Sequence, residues 1–481
     1  MLPNLKLSYY NHFIPHTKRD VYIIYNAFSN AMMQVDYDLG HFISKLNSME
    51  IHYLDLDVIS ALRANGMIIS SETDEFVEVK KRANQSRQTM TDSSTLFLCI
   101  SPTNSCNMKC PYCFQGDKSA KNRDTKYLNE DSMNNLKQLV LNAVERPHAQ
   151  KIEKIAIEWF GGEPLLRKNV IKEFSEFVLD ICEKYDLDFY ASIITNASLL
   201  DSNTWKLLAD CRIYDVQVTI DGQKDMHNQV RFYGNGNGSY DDIMNNLSAM
   251  PKDKFVVTIR INGDKAVFEN IPALFQDFQD REFWPQRGQQ VKFHWAPKFY
   301  NFLGHNQDKD IYYTSYEYQK SRQDFEFLRV DHFKRWAIST GSKSKRLNFA
   351  YPNLSSFYCL TVESANSLSI DDGGFIHKCY NTVNSKDKRI EHVNDFNGQN
   401  PALSQYKHFD KTEQADCRTC KVLPICDEGC NMRFVSNAES KVCSPWKYFM
   451  DERMQAIYEQ NFSKDHPENQ LFTSEGEVKL G

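Results

Sequence analysis

Cys106, Cys110 and Cys113 stand in the run Cys-Asn-Met-Lys-Cys-Pro-Tyr-Cys-Phe, a C-x₃-C-x₂-C spacing. Thiolates are the usual protein ligands of iron–sulfur clusters, and three of them hold three irons of a [4Fe–4S] cube. The short loop offers no fourth sulfur, so one iron stays open to a ligand that is not protein. Zinc is the competing reading. Structural zinc closes with four ligands, usually as two C-x₂-C pairs, and this triplet has no neighbouring fourth Cys or His. The spacing therefore favours a cluster. Of the 13 cysteines, a second group lies towards the C-terminus: Cys359, Cys379 (in Gly374-x₄-Cys379), Cys417, Cys420, Cys426, Cys430 and Cys443. Zinc held by Cys417, Cys420, Cys426 and Cys430 is an alternative there too. Disulfides would need an oxidising compartment, and nothing marks the chain as secreted. Cys99, Cys182 and Cys211 lie in or near apolar runs and read as buried thiols.

The elements that position these residues follow from periodicity. After residue 90, strand-like runs occur at Leu96–Ile100, Ile155–Phe160, Phe189–Ile194, Val216–Ile220, Phe255–Ile261 and Val291–Trp295. Helical stretches lie between several of them. Leu136, Leu139, Val140, Ala143 and Val144 fill one helix face, as do Val170, Ile171, Phe174, Phe177, Val178 and Ile181. Strands alternating with helices predict an α/β fold with a parallel sheet. Right-handed crossovers would curl it into a partial barrel. Cys106 follows the first strand, Gly161 the second, Thr195 ends the third and Asp221 follows the fourth. Active sites collect at such strand ends.

The triplet resembles the signature of the radical S-adenosylmethionine (SAM) enzymes. Three further stretches agree in the family's order. Phe160-Gly161-Gly162-Glu163-Pro164 matches a Gly-Gly-Glu-Pro motif. Thr195-Asn196-Ala197 matches Thr-Asn-Gly, with Ala197 in the glycine position. Thr219-Ile220-Asp221-Gly222, then His227 and Arg231, matches Ser-x-Asp-Gly and His-x₃-Arg. The resemblance implies a partial (β/α)6 barrel and a cluster whose open iron chelates the methionine end of SAM. It further implies that the backbone around Gly161, Gly162 and Glu163 binds the SAM amino group. Asn196 and Thr219 would lie along the ribose and methionine, and Arg231 would fork onto the carboxylate. A surface ion pair is the plainer reading of Glu163 or Arg231 alone. Ala197 is a departure, because glycine tolerates positive φ and alanine does not.

The C-terminal cysteines look like the SPASM extension, which binds two auxiliary [4Fe–4S] clusters. By that resemblance one cluster takes Cys417, Cys420, Cys426 and Cys443. The other takes Cys359, Cys379 and Cys430.

The first 85 or so residues differ in pattern. Leu5–Ile14, Asp20–Tyr25 and Ala31–Val35 read as short antiparallel strands. Helical stretches follow around Leu39–Leu46 and Val58–Ala64, Gly66 reads as a C-cap, and Met67–Ile69 as a wing strand. This resembles the small winged-helix domain that takes a precursor's leader as an added strand in peptide-modifying radical enzymes. The alternative is an appendage that only packs on the barrel. Glu75–Thr91 is polar and reads as a linker. The expected organisation is a winged-helix-like domain over 1–88, the barrel over 92–300, a bridging helical region over 301–354, the cysteine-rich extension over 355–450, and a C-terminal helix and tail over 451–481. The tail past Lys464 reads as loose. Tyr312, Tyr313, Tyr316 and Tyr318 read as packing residues.

At 481 residues the chain exceeds one core. A net charge of −6 gives no reason to expect nucleic-acid binding. No apolar stretch reaches the roughly 20 residues of a membrane helix, and the N-terminus does not read as a signal peptide. Free thiols for clusters make the cytoplasm the expected compartment.

The function expected is oxidative modification of a ribosomal precursor peptide, forming a thioether or carbon–carbon crosslink. The implied partners are that leader-bearing peptide and a flavodoxin- or ferredoxin-type one-electron donor. An anaerobic sulfatase-maturating enzyme, which makes formylglycine, is the second reading. That family places a catalytic Asp after the cysteine of Gly-x₄-Cys, where this chain has Tyr380, and normally lacks the N-terminal domain. A non-catalytic iron–sulfur carrier is the third. His377, Asp372 and Tyr380 are near the extension's cysteines in sequence, and none is singled out as a general base.

Overall fold

The computed structural model describes residues 4–16, 18–47, 50–113, 128–145, 151–298, 312–342, 350–355, 357–383, 385–396, 410–428, 442–461, 470–473 and 476–479. The N-terminal part begins with β1 (Leu5–Leu7), β2 (Asn11–Pro15), β3 (Val21–Asn26) and β4 (Ala31–Asp36). Strands β2, β3 and β4 form an antiparallel meander. Two helices follow, α1 (Tyr37–Lys45) and α2 (Leu56–Ala64), and then β5 (Ile68–Ser70), which pairs with β1. Gly66 leaves α2 at φ +70°, the left-handed turn that glycine permits without a steric penalty. One sheet face, with Ile24 and Val35, packs on α1 and α2. The other, with Tyr10, Ile23 and Tyr25, packs on residues from the C-terminal part.

The expected linker is a helix, α3 (Glu75–Thr91). Its polar composition hides it, because only a narrow strip is buried. Val79 and Ala83 are fully buried with Tyr10, Tyr358 and Leu423. Asp74 caps the Phe76 and Val77 N–H groups, and the Glu75 carboxylate accepts Ser8 Oγ at 2.5 Å and Tyr9 N at 2.7 Å. Glu, Lys, Arg and Gln, which make up eight of its 17 residues, are good helix formers.

The six expected strands all form. They are β6 (Thr95–Ile100), β7 (Lys154–Trp159), β8 (Asp188–Thr195), β9 (Asp215–Thr219), β10 (Val256–Gly263) and β11 (Val291–Pro297), parallel and in sequence order. The crossovers carry α4 (Glu130–Val144), α5 (Lys168–Tyr185), α6 (Ser202–Asp210), α7 (Lys224–Val230), α8 (Tyr240–Ser248), α9 (Lys265–Glu269) and α10 (Ile271–Asp280). Alternate strand residues such as Leu98, Ile157, Ile193, Val218 and Ile259 pack on these helices in one core. The residues between them, Glu158, Ser192, Gln217 and Arg260 among them, are half-buried and stand on the opposite, inner face. After the barrel, α11 (Ser315–Thr340) starts from a Thr314–Glu317 capping box. Tyr313 is buried beside Trp295, as expected of a packing residue, whereas Tyr316 is exposed.

Two features were not legible in the sequence. The extension contributes β12 (Ser367–Ile370) and β13 (Ile376–His377) to the barrel sheet, with β12 parallel to β6. The tail forms β14 (Gln470–Thr473) and β15 (Gly476–Lys479) rather than a loose end, and β14 extends the N-terminal sheet beside β4. An open sheet edge accepts such a strand through backbone groups alone. Among the described residues, no helix is long and apolar enough to cross a membrane.

Candidate active site

The loop after β6 carries Cys106, Cys110 and Cys113, and the turn after β7 braces it. Gly162 N donates to Thr103 O at 3.0 Å and Glu163 N to Ser105 O at 2.9 Å. A Cβ on Gly162 would lie 2.3 Å from Ser105 O and 2.4 Å from Asn104 O. An ammonium only donates, so the carbonyl oxygens of this turn are the backbone groups that could receive it. Glu163 is not a surface ion pair. It is fully buried and accepts Leu165 N at 3.0 Å, Thr195 Oγ1 at 2.7 Å and Asn196 N at 2.8 Å. Burial pushes its carboxyl above the usual range against the pull of these donors. The carboxylate thereby ties the turn after β7 to the end of β8.

Asn196 Nδ2 donates to Asn107 Oδ1 at 2.8 Å and lies 3.8 Å from Cys106 Sγ. Ala197 adopts the left-handed conformation at φ +63° and is fully buried, so the glycine geometry survives the departure. Its strain, about 1–2 kcal/mol, is close to what a glycine would lose in chain entropy and methyl burial. Ala197→Gly is therefore expected to change stability by less than about 1 kcal/mol in denaturant unfolding. Ala197→Val, β-branched at positive φ, is expected to cost at least ~2 kcal/mol.

Asp221 is a buried hub. Its Oδ1 accepts Asn262 N at 2.8 Å and its Oδ2 accepts the Tyr112 hydroxyl from the cysteine loop. Arg231 Nη1 donates to Tyr112 Oη at 2.7 Å and lies 3.7 Å from Asp221 Oδ2. The buried Arg231 Nε has no hydrogen-bond partner among the described residues. Asp221 N donates to His227 Nδ1 at 3.2 Å, so the proton sits on Nε2, 3.0 Å from Ser239 Oγ. Burial, and then the charge of Arg231, lower the His227 pKa to about 3. Between that value and about 6.5 the unfolded chain takes up a proton that the native site refuses, so stability falls as pH falls. Urea unfolding is expected to show this slope between about pH 7 and pH 5, and His227→Gln to flatten it. Thr219 ends β9 opposite Arg260.

The described C-terminal cysteines fall into two places. Cys417 and Cys420 share a turn, with Cys420 N donating to Cys417 O at 3.0 Å. Lys447 Nζ lies 3.7 Å from Cys443 Sγ and feels both Cys443 and Cys420. Cys426, half-buried and with a thiol that desolvation pushes up to about 11, also feels Cys420. Cys359 and Cys379 pack together with Val362 and Ile390. Cys430 lies outside the described residues. Cys99, Cys182 and Cys211 are buried, as expected. Among the described residues, no three His, Cys, Asp or Glu side chains stand close enough together to hold a single metal ion.

Of the residues near the extension's cysteines, Asp372 accepts the Asn104 N–H at 3.2 Å and its Nδ2 at 2.8 Å. His377 is buried 3.3 Å from Asp371. Tyr380 stacks edge-on against Phe160, with ring centroids 5.8 Å apart, and is partly exposed. Tyr112 and Asp221 stood inside the motifs already noted, without a role. Asn262 had no sequence signal, and Asp372 was noted only as a neighbour of the extension's cysteines, because only the fold brings them to the loop.

Residues 100–270 match the family model of the Radical SAM superfamily. The chain carries a radical SAM domain. A cysteine-type anaerobic sulfatase-maturating enzyme of Clostridium novyi is 22% identical over 388 residues, covering 76% of this chain and 96% of the relative. The radical SAM cyclopropyl synthase TigE of Paramaledivibacter caminithermalis is 27% identical over 240 residues, covering 48% of this chain and 47% of the relative. The solved structure of native anSMEcpe with bound AdoMet shares the fold at a TM-score of 0.53 and 18% identity, covering 76% of this chain and 99% of that one. The radical SAM domain implies a [4Fe–4S] cluster and SAM, and the residues present fit them. Three thiols project from one loop. The unpartnered Arg231 Nε sits beside it, and Gly161 and Gly162 are packed where a Cβ would collide. Burial pushes the Cys106 thiol up to about 11, and bound iron would supply the charge that stabilises the thiolate.

Proposed function

We propose that this radical SAM enzyme is a peptide maturase that oxidatively crosslinks side chains of a ribosomal precursor, through a thioether or a carbon–carbon bond. When bound, the cluster and SAM supply a 5′-deoxyadenosyl radical that removes a hydrogen atom from the substrate. Cys106, Cys110 and Cys113 would hold that cluster, and Arg231 the SAM carboxylate. Asn196 and Thr219 would line the ribose and methionine, and carbonyls of the Gly161–Glu163 turn would take the amino group. The C-terminal cysteines would hold two auxiliary clusters, one on Cys417, Cys420, Cys426 and Cys443 and one on Cys359, Cys379 and Cys430. A flavodoxin- or ferredoxin-type donor would deliver the first electron.

The observation that carries the peptide reading is the N-terminal domain and where it docks. Tyr9 Oη donates to Thr419 O at 2.6 Å, and His12 Nε2 lies 3.4 Å from Lys421 O. A domain suited to strand addition thus rests on the turn that bears Cys417 and Cys420. The Clostridium novyi sulfatase-maturating relative is matched almost throughout, yet accounts for only 76% of this chain, which leaves room for an added domain. Sulfatase maturation remains the second reading, favoured by that relative. Tyr380, in place of an Asp, stands against it.

The test is anaerobic reconstitution with iron and sulfide, then incubation with SAM, a strong reductant and precursor peptides encoded beside the gene. Mass spectrometry of the peptide separates the readings. A crosslink removes two hydrogens and keeps sulfur, whereas formylglycine made from cysteine loses it. Formylglycine would overturn the proposal.

A further inference from the structure

The inner face of the sheet carries a cation that no carboxylate among the described residues neutralises. Val257, Ile259 and Ile261 of β10 are fully buried against the helices, so Thr258, Arg260 and Asn262 stand on the inner face. Arg260 pairs in register with Thr219 of β9 and His294 of β11, near the C-terminal strand ends. Its Nε donates to Asn262 Oδ1 at 2.9 Å, and its Nη1 lies 3.3 Å from His294 Nδ1. Asn262 N in turn donates to Asp221 Oδ1. The guanidinium is therefore fixed in orientation and joined to the Asp221–Tyr112–Arg231 group.

Its cationic neighbours are paired. Arg231 lies 3.7 Å from Asp221, Lys298 3.2 Å from Asp264 and Arg322 3.2 Å from Glu428. His294 supplies no charge, since burial and then the charges of Arg260 and Arg322 lower its pKa to about 4. A guanidinium held along one edge offers its other edge to a planar anion, for which a carboxylate is the best match.

Resting on the peptide reading above, we propose that Arg260 binds the carboxylate of an acidic residue in the peptide substrate, with Asn262 and His294 as positioning residues that hold its guanidinium toward the chamber. The reacting segment would then carry Asp or Glu beside the residue that loses hydrogen.

The test uses the reconstituted full-length holoenzyme with Arg260→Gln and Arg260→Lys. SAM affinity is measured by equilibrium dialysis. Release of 5′-deoxyadenosine is measured with pairs of synthetic peptides that differ only in Asp or Glu against Asn or Gln. SAM affinity is expected to stay within about twofold of the parent, because Arg231 serves the cofactor. Acidic peptides are expected to stimulate the parent at least ~10-fold more than their amide partners, about 1.4 kcal/mol. Arg260→Gln should lose that preference, and Arg260→Lys should keep part of it, having the charge without the fork. A tenfold or greater loss of SAM affinity in Arg260→Gln, roughly 1.4 kcal/mol or more, would assign the carboxylate to the methionine of SAM and overturn the proposal. Equal stimulation by both members of each pair would overturn it too. If no peptide stimulates the parent while SAM cleavage persists, the peptide reading itself fails and this inference falls with it.

Discussion

Alanine at Cys106, Cys110 and Cys113 together is expected to reduce 5′-deoxyadenosine formation to the reductant-only background, a fall of at least ~10³-fold. The whole radical-generating route depends on these thiolates, so no residual pathway should remain. The triplet lies on a loop at the edge of the barrel core, and the sheet behind it is built without it. The variant should therefore fold and retain the iron that the proposed auxiliary sites on the C-terminal cysteines would hold. Visible absorption should drop only in part. A companion variant, Cys417→Ala with Cys420→Ala, should keep the first SAM cleavage and lose peptide oxidation. Undiminished 5′-deoxyadenosine from the triple variant would remove the assignment of that loop as the cluster site.

Gly162→Ala is expected to be nearly as damaging, although Gly162 is not among the expected iron ligands. Its added Cβ would meet the carbonyl oxygens of Asn104 and Ser105 at 2.4 and 2.3 Å. Those are backbone atoms, so the cysteine loop itself must move. Overpacking of this kind costs about 1–3 kcal/mol, and here the strain falls one residue before Cys106. The Gly162 and Glu163 N–H bonds to the loop would be weakened at the same time. Iron content after reconstitution should fall and SAM cleavage should drop by at least ~10²-fold, as a misplacement of about 1 Å does in other sites. Far-ultraviolet circular dichroism should stay near that of the parent, since the change is local. Full iron loading and full turnover in Gly162→Ala would show that the loop is not braced there.

The class of chemistry was legible in the chain because it is constrained locally. Three thiols spaced for a cube, a Gly-Gly-Glu turn and an Asp-Gly turn are each set by a few consecutive residues. The six parallel strands were equally legible, since short apolar or alternating runs separated by helical patterns mark them. Glu163 shows the limit. Its sequence allowed a surface ion pair, and only the approach of β8 to the turn after β7 made it a buried clamp with three donors. The helix over Glu75–Thr91 was hidden for a related reason. Two buried residues, Val79 and Ala83, suffice to anchor it against a surface supplied by distant segments, and such a surface leaves no periodic trace.

What the sequence by itself determined is the class of chemistry and the barrel that carries it, because both depend on short-range spacing. What only the tertiary structure decided is how residues far apart in the chain share the charge of one site. Asp221, Tyr112, Arg231, Asn262 and Arg260 come from three different parts of the sheet's rim. Whether each cation there has an anion depends on distances across the chamber. Ion pairing acts through space with a reach of a few ångströms, and no pattern along the chain encodes it.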